Sequence, residues 1–132
     1  MPINYVLTQR VNPRDVTAPR KFYAVAKSNG EETVRQLATE ISKRTNLSSS
    51  EVYAAIEAFI DLIPERIADG KIVRLGDFGS FFLTLSSDGV DKAEEFDASK
   101  IKGNSLNFRP GKIVQKVLDA ADYQKSVDWF QL

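Results

Sequence analysis

Two clusters of charged side chains carry whatever chemistry this chain can do. Within residues 1–30, Arg10, Arg14, Arg20, Lys21 and Lys27 are opposed only by Asp15, a net charge of +4. Such a cluster either holds phosphate or keeps an exposed hairpin in solution. Within residues 86–103, Asp88, Asp91, Glu94, Glu95 and Asp97 outnumber three lysines, a net −2. Their spacing is not the alternating pattern of a calcium loop, so they read as a solvated acidic arm. Two fragments of enzyme motifs are present without their companions. Asp77-Phe78-Gly79 spells a kinase metal-binding triplet and Ser99-Lys100-Ile101-Lys102 a β-lactamase-like Ser-x-x-Lys, yet no glycine-rich loop or partner motif accompanies either. The 132 residues include no histidine and no cysteine, which excludes disulfides, Cys/His zinc sites and Ser-His-Asp or Cys-His catalysis. The expectation is a binding protein, not an enzyme, with no metal and no cofactor.

Overall the charge is balanced, 18 basic against 18 acidic. Lys and Arg that replace counterions supply most nucleic-acid affinity, so a neutral chain can serve such a role only through uneven distribution. The distribution is uneven: residues 31–70 carry a net −4, while 71–85 and 104–132 each carry +1. No apolar run approaches the roughly 18 residues that a membrane span needs. The start, Met1-Pro2-Ile3-Asn4-Tyr5, has no basic segment leading into an apolar one, so a cytoplasmic location without membrane attachment is expected.

The elements that position these groups can be read from period and punctuation. Tyr5–Thr8 and Lys21–Val25 are β-rich runs around Asn12-Pro13-Arg14-Asp15 and Ala18-Pro19, which predicts a hairpin-like β extension over residues 1–30. Thr33 with Gln36 spells a capping box before Val34, Leu37, Ala38 and Ile41, one face of a helix. Ser48 with Glu51 spells another before Val52, Ala55, Ile56, Phe59, Ile60 and Ile63, a helix whose last turns Pro64 should kink. From Lys71 the period becomes extended: Ile72–Leu75, a Gly76-Asp77 turn and Gly79–Leu85 predict two strands. Phe81-Phe82-Leu83 would be apolar on both faces, which calls for a second subunit as cover. The polar stretch 86–103 leads to a third strand with Leu106 and Phe108, and Pro110 then opens a final helix in its first turn. Residues 119–132 form a tail that carries the aromatic pair Trp129-Phe130.

The order helix, helix, three strands with a long insert before the third, and a short helix resembles the HU and integration host factor family of bacterial histone-like proteins. Gly70 to Phe81, reading Gly-Lys-Ile-Val-Arg-Leu-Gly-Asp-Phe-Gly-Ser-Phe, is similar to the family's strand and its Gly-Phe-Gly-x-Phe signature, with Asp77 replacing the first glycine. Phe108-Arg109-Pro110-Gly111-Lys112 is similar to its Phe-Lys-Pro-Gly-Lys. The resemblance covers residues 31–118, and the flanking segments look like the longer HU-related proteins of Bacteroides-type bacteria. It implies an α+β fold: a helical hairpin, a three-stranded antiparallel sheet with an arm at 86–103, and a short C-terminal helix, intertwined in a homodimer. It also implies minor-groove DNA bending, the mechanism for which HU and integration host factor serve as type examples.

Carried over residue by residue, the resemblance places Phe78, Phe81 and Phe108 in a dimer core. Arg74 would face DNA from the saddle floor, and Arg109, Lys112 and Lys116 would hold flanking phosphates. Arg14, Arg20 and Lys21 of the extension add a candidate phosphate patch. The arm departs from the family, for it has neither arginine nor proline, and carboxylates repel phosphate. Two functions are therefore expected to compete. One is sequence-nonspecific binding of double-stranded DNA by a nucleoid-associated homodimer. The other is a structural dimerisation module whose partner is a protein, reached through residues 86–103 or the C-terminal tail.

Overall fold

A computed structural model describes residues 2–126. The fold is α+β, and the chain divides into two compact units, residues 33–117 and a second made of 1–32 with 118–132.

In the first unit, helix α1 (Val34–Arg44) starts where the sequence predicts. The Thr33 hydroxyl accepts from the Gln36 amide at 3.2 Å and Gln36 Oε1 accepts from the Thr33 amide at 2.7 Å, the two halves of a capping box. Helix α2 (Ser49–Ala68) is capped by Ser48, which accepts from the Glu51 amide at 3.2 Å; here the Glu51 carboxylate accepts from the Ser48 hydroxyl at 2.9 Å, so the reciprocity runs between side chains. The helix continues through Pro64 to Ala68.

Three antiparallel strands follow, β3 (Val73–Arg74), β4 (Gly79–Ser87) and β5 (Ile101–Pro110), in the order β3-β4-β5. Strand β3 is shorter than the predicted Ile72–Leu75 run. A 3-10 turn at Gly76–Phe78 joins it to β4, with the Leu75 amide donating to the Gly79 carbonyl at 2.9 Å. Helix α3 (Lys112–Asp119) begins two residues later than the sequence suggested: Pro110 closes β5 at the sheet edge, where its missing N–H costs no ladder bond.

Two glycines weld this region. At Gly111 a Cβ would fall on the backbone carbonyl of Asp77, and its amide donates to the Phe78 carbonyl at 2.8 Å. Gly79 has φ +146° and a Cβ there would lie 2.5 Å from the Arg109 carbonyl. Asp77 replaces a family glycine at no conformational cost, because among the described residues no non-glycine has positive φ.

The second unit is a three-stranded sheet of order β2-β1-β6, made of β1 (Pro2–Arg10), β2 (Lys21–Ala26) and β6 (Asp122–Lys125). β1 and β2 are the expected antiparallel hairpin; β6 pairs in parallel with β1, Pro2 opposite Asp122 through Tyr5 opposite Lys125. Part of what the sequence presented as a separate tail thus shares a sheet with the N-terminal extension. Parallel pairing of distant segments leaves no turn signal by which to find it. Trp129 and Phe130 lie outside the described residues.

Few side chains among the described residues are buried. Val6, Ala38, Val52 and Ile67 make up the buried hydrophobic set. The predicted helix faces are only partly covered: Leu37, Ile41, Phe59 and Ile60 remain exposed, because two helices and a narrow sheet cannot enclose two full apolar stripes.

Candidate nucleic-acid interface

Strand register sorts the sheet of the first unit into two unlike faces. Val73 pairs with Phe81 and Phe81 with Phe108, and Leu83 pairs with Leu106, so alternation puts these five on one face. The Phe108 ring stands 4.8 Å from Phe81 and 5.5 Å from Phe78, centroid to centroid, which joins the three aromatics into one cluster. Phe78 is 47% exposed and Phe108 39% exposed.

The other face is polar and basic. Arg74 stands opposite Ser80, and Ser80 opposite Arg109, so the two arginines flank a serine in one row across all three strands. Two positions along, Phe82 and Asn107 form the next row; Thr84 and Ser105 form the one after. The amide of Asn107 donates to the Thr84 hydroxyl at 2.8 Å, a diagonal contact that fixes both on this face. No strand residue on it is acidic. This alters the expected cover for Phe81-Phe82-Leu83: only Phe81 and Leu83 share the apolar face. Phe82 lies on the basic one, with the Arg109 guanidinium 5.3 Å above its ring.

β3 is only two residues long, so the far half of β4 has no neighbour on that side among the described residues. A groove of about 430 Å³ opens there, with Lys71, Arg74 and Arg109 as its cations and Phe82, Leu83 and Leu85 along β4. Lys112 and Lys116 lie one turn apart on one side of α3, and both are exposed. The Gly111 weld places the start of that helix directly after the Arg109 strand. The four predicted cations of this unit therefore lie on three elements, Arg74 on β3, Arg109 on β5, and Lys112 and Lys116 on α3. Lys71, which sequence reasoning passed over, joins them; its only signal was its place just before β3.

Arg14, Arg20 and Lys21 lie elsewhere, at the β1–β2 end of the second unit. Arg10 pairs directly with Lys21, and its guanidinium sits 5.4 Å from the centre of the Tyr23 ring. Asp15, the one carboxylate nearby in sequence, accepts from the Thr17 hydroxyl at 2.6 Å and the Thr17 amide at 3.0 Å; these bonds hold its pKa below the usual aspartate value.

The arm is a continuation of the β4–β5 hairpin. Between the strands, short 3-10 turns at Ala93–Glu95 and Ala98–Lys100 occupy the tip. Lys102 pairs with Asp88 at 2.8 Å, and Asp97 accepts from the Ser99 hydroxyl and amide. Among the described residues, the side chains of Asp91, Glu94 and Glu95 make no ion pair or hydrogen bond. No group of His, Cys, Asp or Glu among the described residues is arranged to hold a metal, and no described helix is long and apolar enough to cross a membrane.

Residues 1–125 match a family described as an HU domain fused to wHTH, Ig, or glycine-rich motif. No curated protein matches the chain. Among solved structures, it is similar to a protein from Bacteroides vulgatus ATCC 8482 described as a candidate bacterial DNA-binding protein. The TM-score is 0.60 at 13% sequence identity, over 93% of this chain and 47% of the other. The chain thus spans about half the length of that structure, and the likeness is one of fold.

Proposed function

Because the chain belongs to the family of HU domains fused to other modules, we propose that it binds double-stranded DNA without sequence preference, as a homodimer associated with the bacterial nucleoid. The observation that carries this reading is the division of one small sheet into a basic face, with Arg74 and Arg109 in register across Ser80, and an aromatic face left half in water. The basic face supplies cations in a row for phosphates and presents no carboxylate. Its contacts of that kind position a duplex but do not read its bases. Arg109 is held in place by Phe82, so little side-chain freedom is lost on contact. Lys112 and Lys116, exposed on α3 just after the Arg109 strand, would add further phosphate contacts in this reading.

The aromatic face supports the dimeric part of this reading. Phe78, Phe81 and Phe108, with Leu83 and Leu106, make an apolar surface too large to leave in water, and a second copy of the same sheet is self-complementary to it. Light scattering should then return twice 14.7 kDa. The test of function is a salt titration of binding to a short random-sequence duplex. Replacing Arg74, Lys112 and Lys116 together by Glu should abolish saddle binding, while changing the base sequence of the duplex should alter affinity little. Wild-type affinity in that triple variant would refute the saddle assignment.

One observation favours a second reading, a dimerisation module with a protein partner: the unpaired Asp91, Glu94 and Glu95 at the arm tip. Absence of duplex binding by the wild-type protein even at low salt would select it.

A further inference from the structure

We propose that the β1–β2 hairpin end is a second DNA-backbone site, separate from the saddle, built around the Arg10–Lys21 pair and completed by Arg14 and Arg20. Like charges placed directly opposite one another on neighbouring strands destabilise a sheet, and Arg10 stands directly opposite Lys21. Among the described residues, no ion pair relieves either of them or Arg14 or Arg20, and all four are exposed. The only acid within residues 1–30 is Asp15, and its carboxylate is engaged by Thr17 within its own turn. A pair that costs stability and lacks an internal counter-charge is relieved by an external anion.

The surroundings give that anion a place. A groove of about 650 Å³ runs between the strand ends and the loop, bounded by Arg10, Asn12, Pro13, Pro19, Lys21 and Tyr23. Tyr23 supports the Arg10 guanidinium at 5.4 Å and leaves its edge donors free, which preorganises a planar fork for phosphate oxygens. The loop itself is ordered by two successive turns, with the Asp15 amide donating to the Asn12 carbonyl at 3.1 Å and the Ala18 amide to the Asp15 carbonyl at 3.2 Å. Asn12 Oδ1 also accepts from the Arg14 amide at 2.9 Å. These bonds order the loop that bears Arg14 and leads into Arg20. Arg10 and Lys21 line the groove, and Arg14 and Arg20 directly follow its lining residues Pro13 and Pro19 in sequence. Four cations grouped in this way, three of them arginine, match a repeating phosphodiester better than a single carboxylate. This site goes beyond the saddle reading and stands on its own residues.

The experiment uses the full chain with Arg10, Arg14, Arg20 and Lys21 all changed to Gln. Duplex binding is followed by fluorescence anisotropy between about 50 and 200 mM salt, the range over which phosphate contacts dominate the change in affinity. At roughly 0.9 per contact, loss of four contacts lowers the slope of log K against log salt by about 3.6. A companion variant with Arg10, Arg14 and Arg20 changed to Lys keeps the charge and should retain the slope, which guards against a mere folding defect. Combined with the saddle substitutions, the Gln variant should remove the binding that the saddle variant retains. If the hairpin variant loses binding while the saddle variant does not, the saddle reading fails and this one stands. An unchanged slope in the Gln variant overturns the proposal. An unchanged slope with lost binding to a synthetic peptide of residues 86–103 overturns it too, and assigns the four cations to an acidic protein segment.

Discussion

Replacing Phe108 with Ala separates the two accounts of the aromatic face, because its cost depends on whether a second copy covers it. A fully buried Phe→Ala change costs about 3–5 kcal/mol. In the single chain Phe108 is 39% exposed, so only about six-tenths of that applies, roughly 2–3 kcal/mol. This figure already includes its contacts with Phe81 at 4.8 Å and Phe78 at 5.5 Å. In a dimer that buries the ring, the full cost applies twice, about 6–10 kcal/mol per pair of chains. The assay is urea unfolding at protein concentrations a hundredfold apart. A dimer gives a wild-type midpoint that rises with concentration, and a variant that dissociates before it unfolds. A concentration-independent wild-type midpoint, with a loss no larger than the single-chain figure, would refute the dimer argument.

Changing Gly111 to Ala should lower stability by about 2–3 kcal/mol and the melting temperature by about 10 °C, because the new methyl meets the Asp77 backbone and no side chain can yield; a melting curve that superimposes on wild type would show the weld to be dispensable. Changing Glu94 and Glu95 to Lys should tighten duplex binding and steepen its salt dependence, and deleting residues 90–98 should leave affinity unchanged or improved; loss of binding on deletion would make the arm a working DNA clasp. The Asp15 turn should be present above the ordinary aspartate pKa and be lost only as pH falls through its lower folded value, since its pKa is depressed by the Thr17 bonds. A carboxyl chemical-shift titration of Asp15 with an ordinary or raised midpoint would contradict that.

What the sequence made legible followed from strong local rules. Thr33 and Ser48 announced both helix starts, and the turn residues between Asn12 and Pro19 announced the hairpin. The Gly-rich motifs around Gly79 and Gly111 read correctly as a signature, although their reason, backbone approaches too close for any Cβ, needed coordinates. Long-range pairing was the part that stayed hidden. β6 reaches β1 from more than a hundred residues away, and nothing in Asp122–Lys125 announces a strand. The face of Phe82 depended on register: one position separates an apolar core from a basic groove, and a run of three apolar residues cannot say which member turns outward. Arg74, Arg109, Lys112 and Lys116 were selected by family pattern, whereas the Arg10–Lys21 opposition required the strand register.

The balanced total charge then ceases to argue against a DNA-binding role. Charge acts over about a Debye length, roughly 10 Å at 0.1 M salt, so what counts is the sign of each surface and not the sum over the chain. The basic sheet face and the hairpin groove each hold cations without a competing carboxylate, while the acidic excess lies on residues 31–70 and at the arm. Within the arm, Asp88 is paired to Lys102 and Asp97 is engaged by Ser99, which leaves Asp91, Glu94 and Glu95 to set its outward charge. If the proposed dimer forms, its two negative tips repel phosphate, and the contacts then expected are to duplex backbone, from the sheet and the hairpin, without insertion between bases.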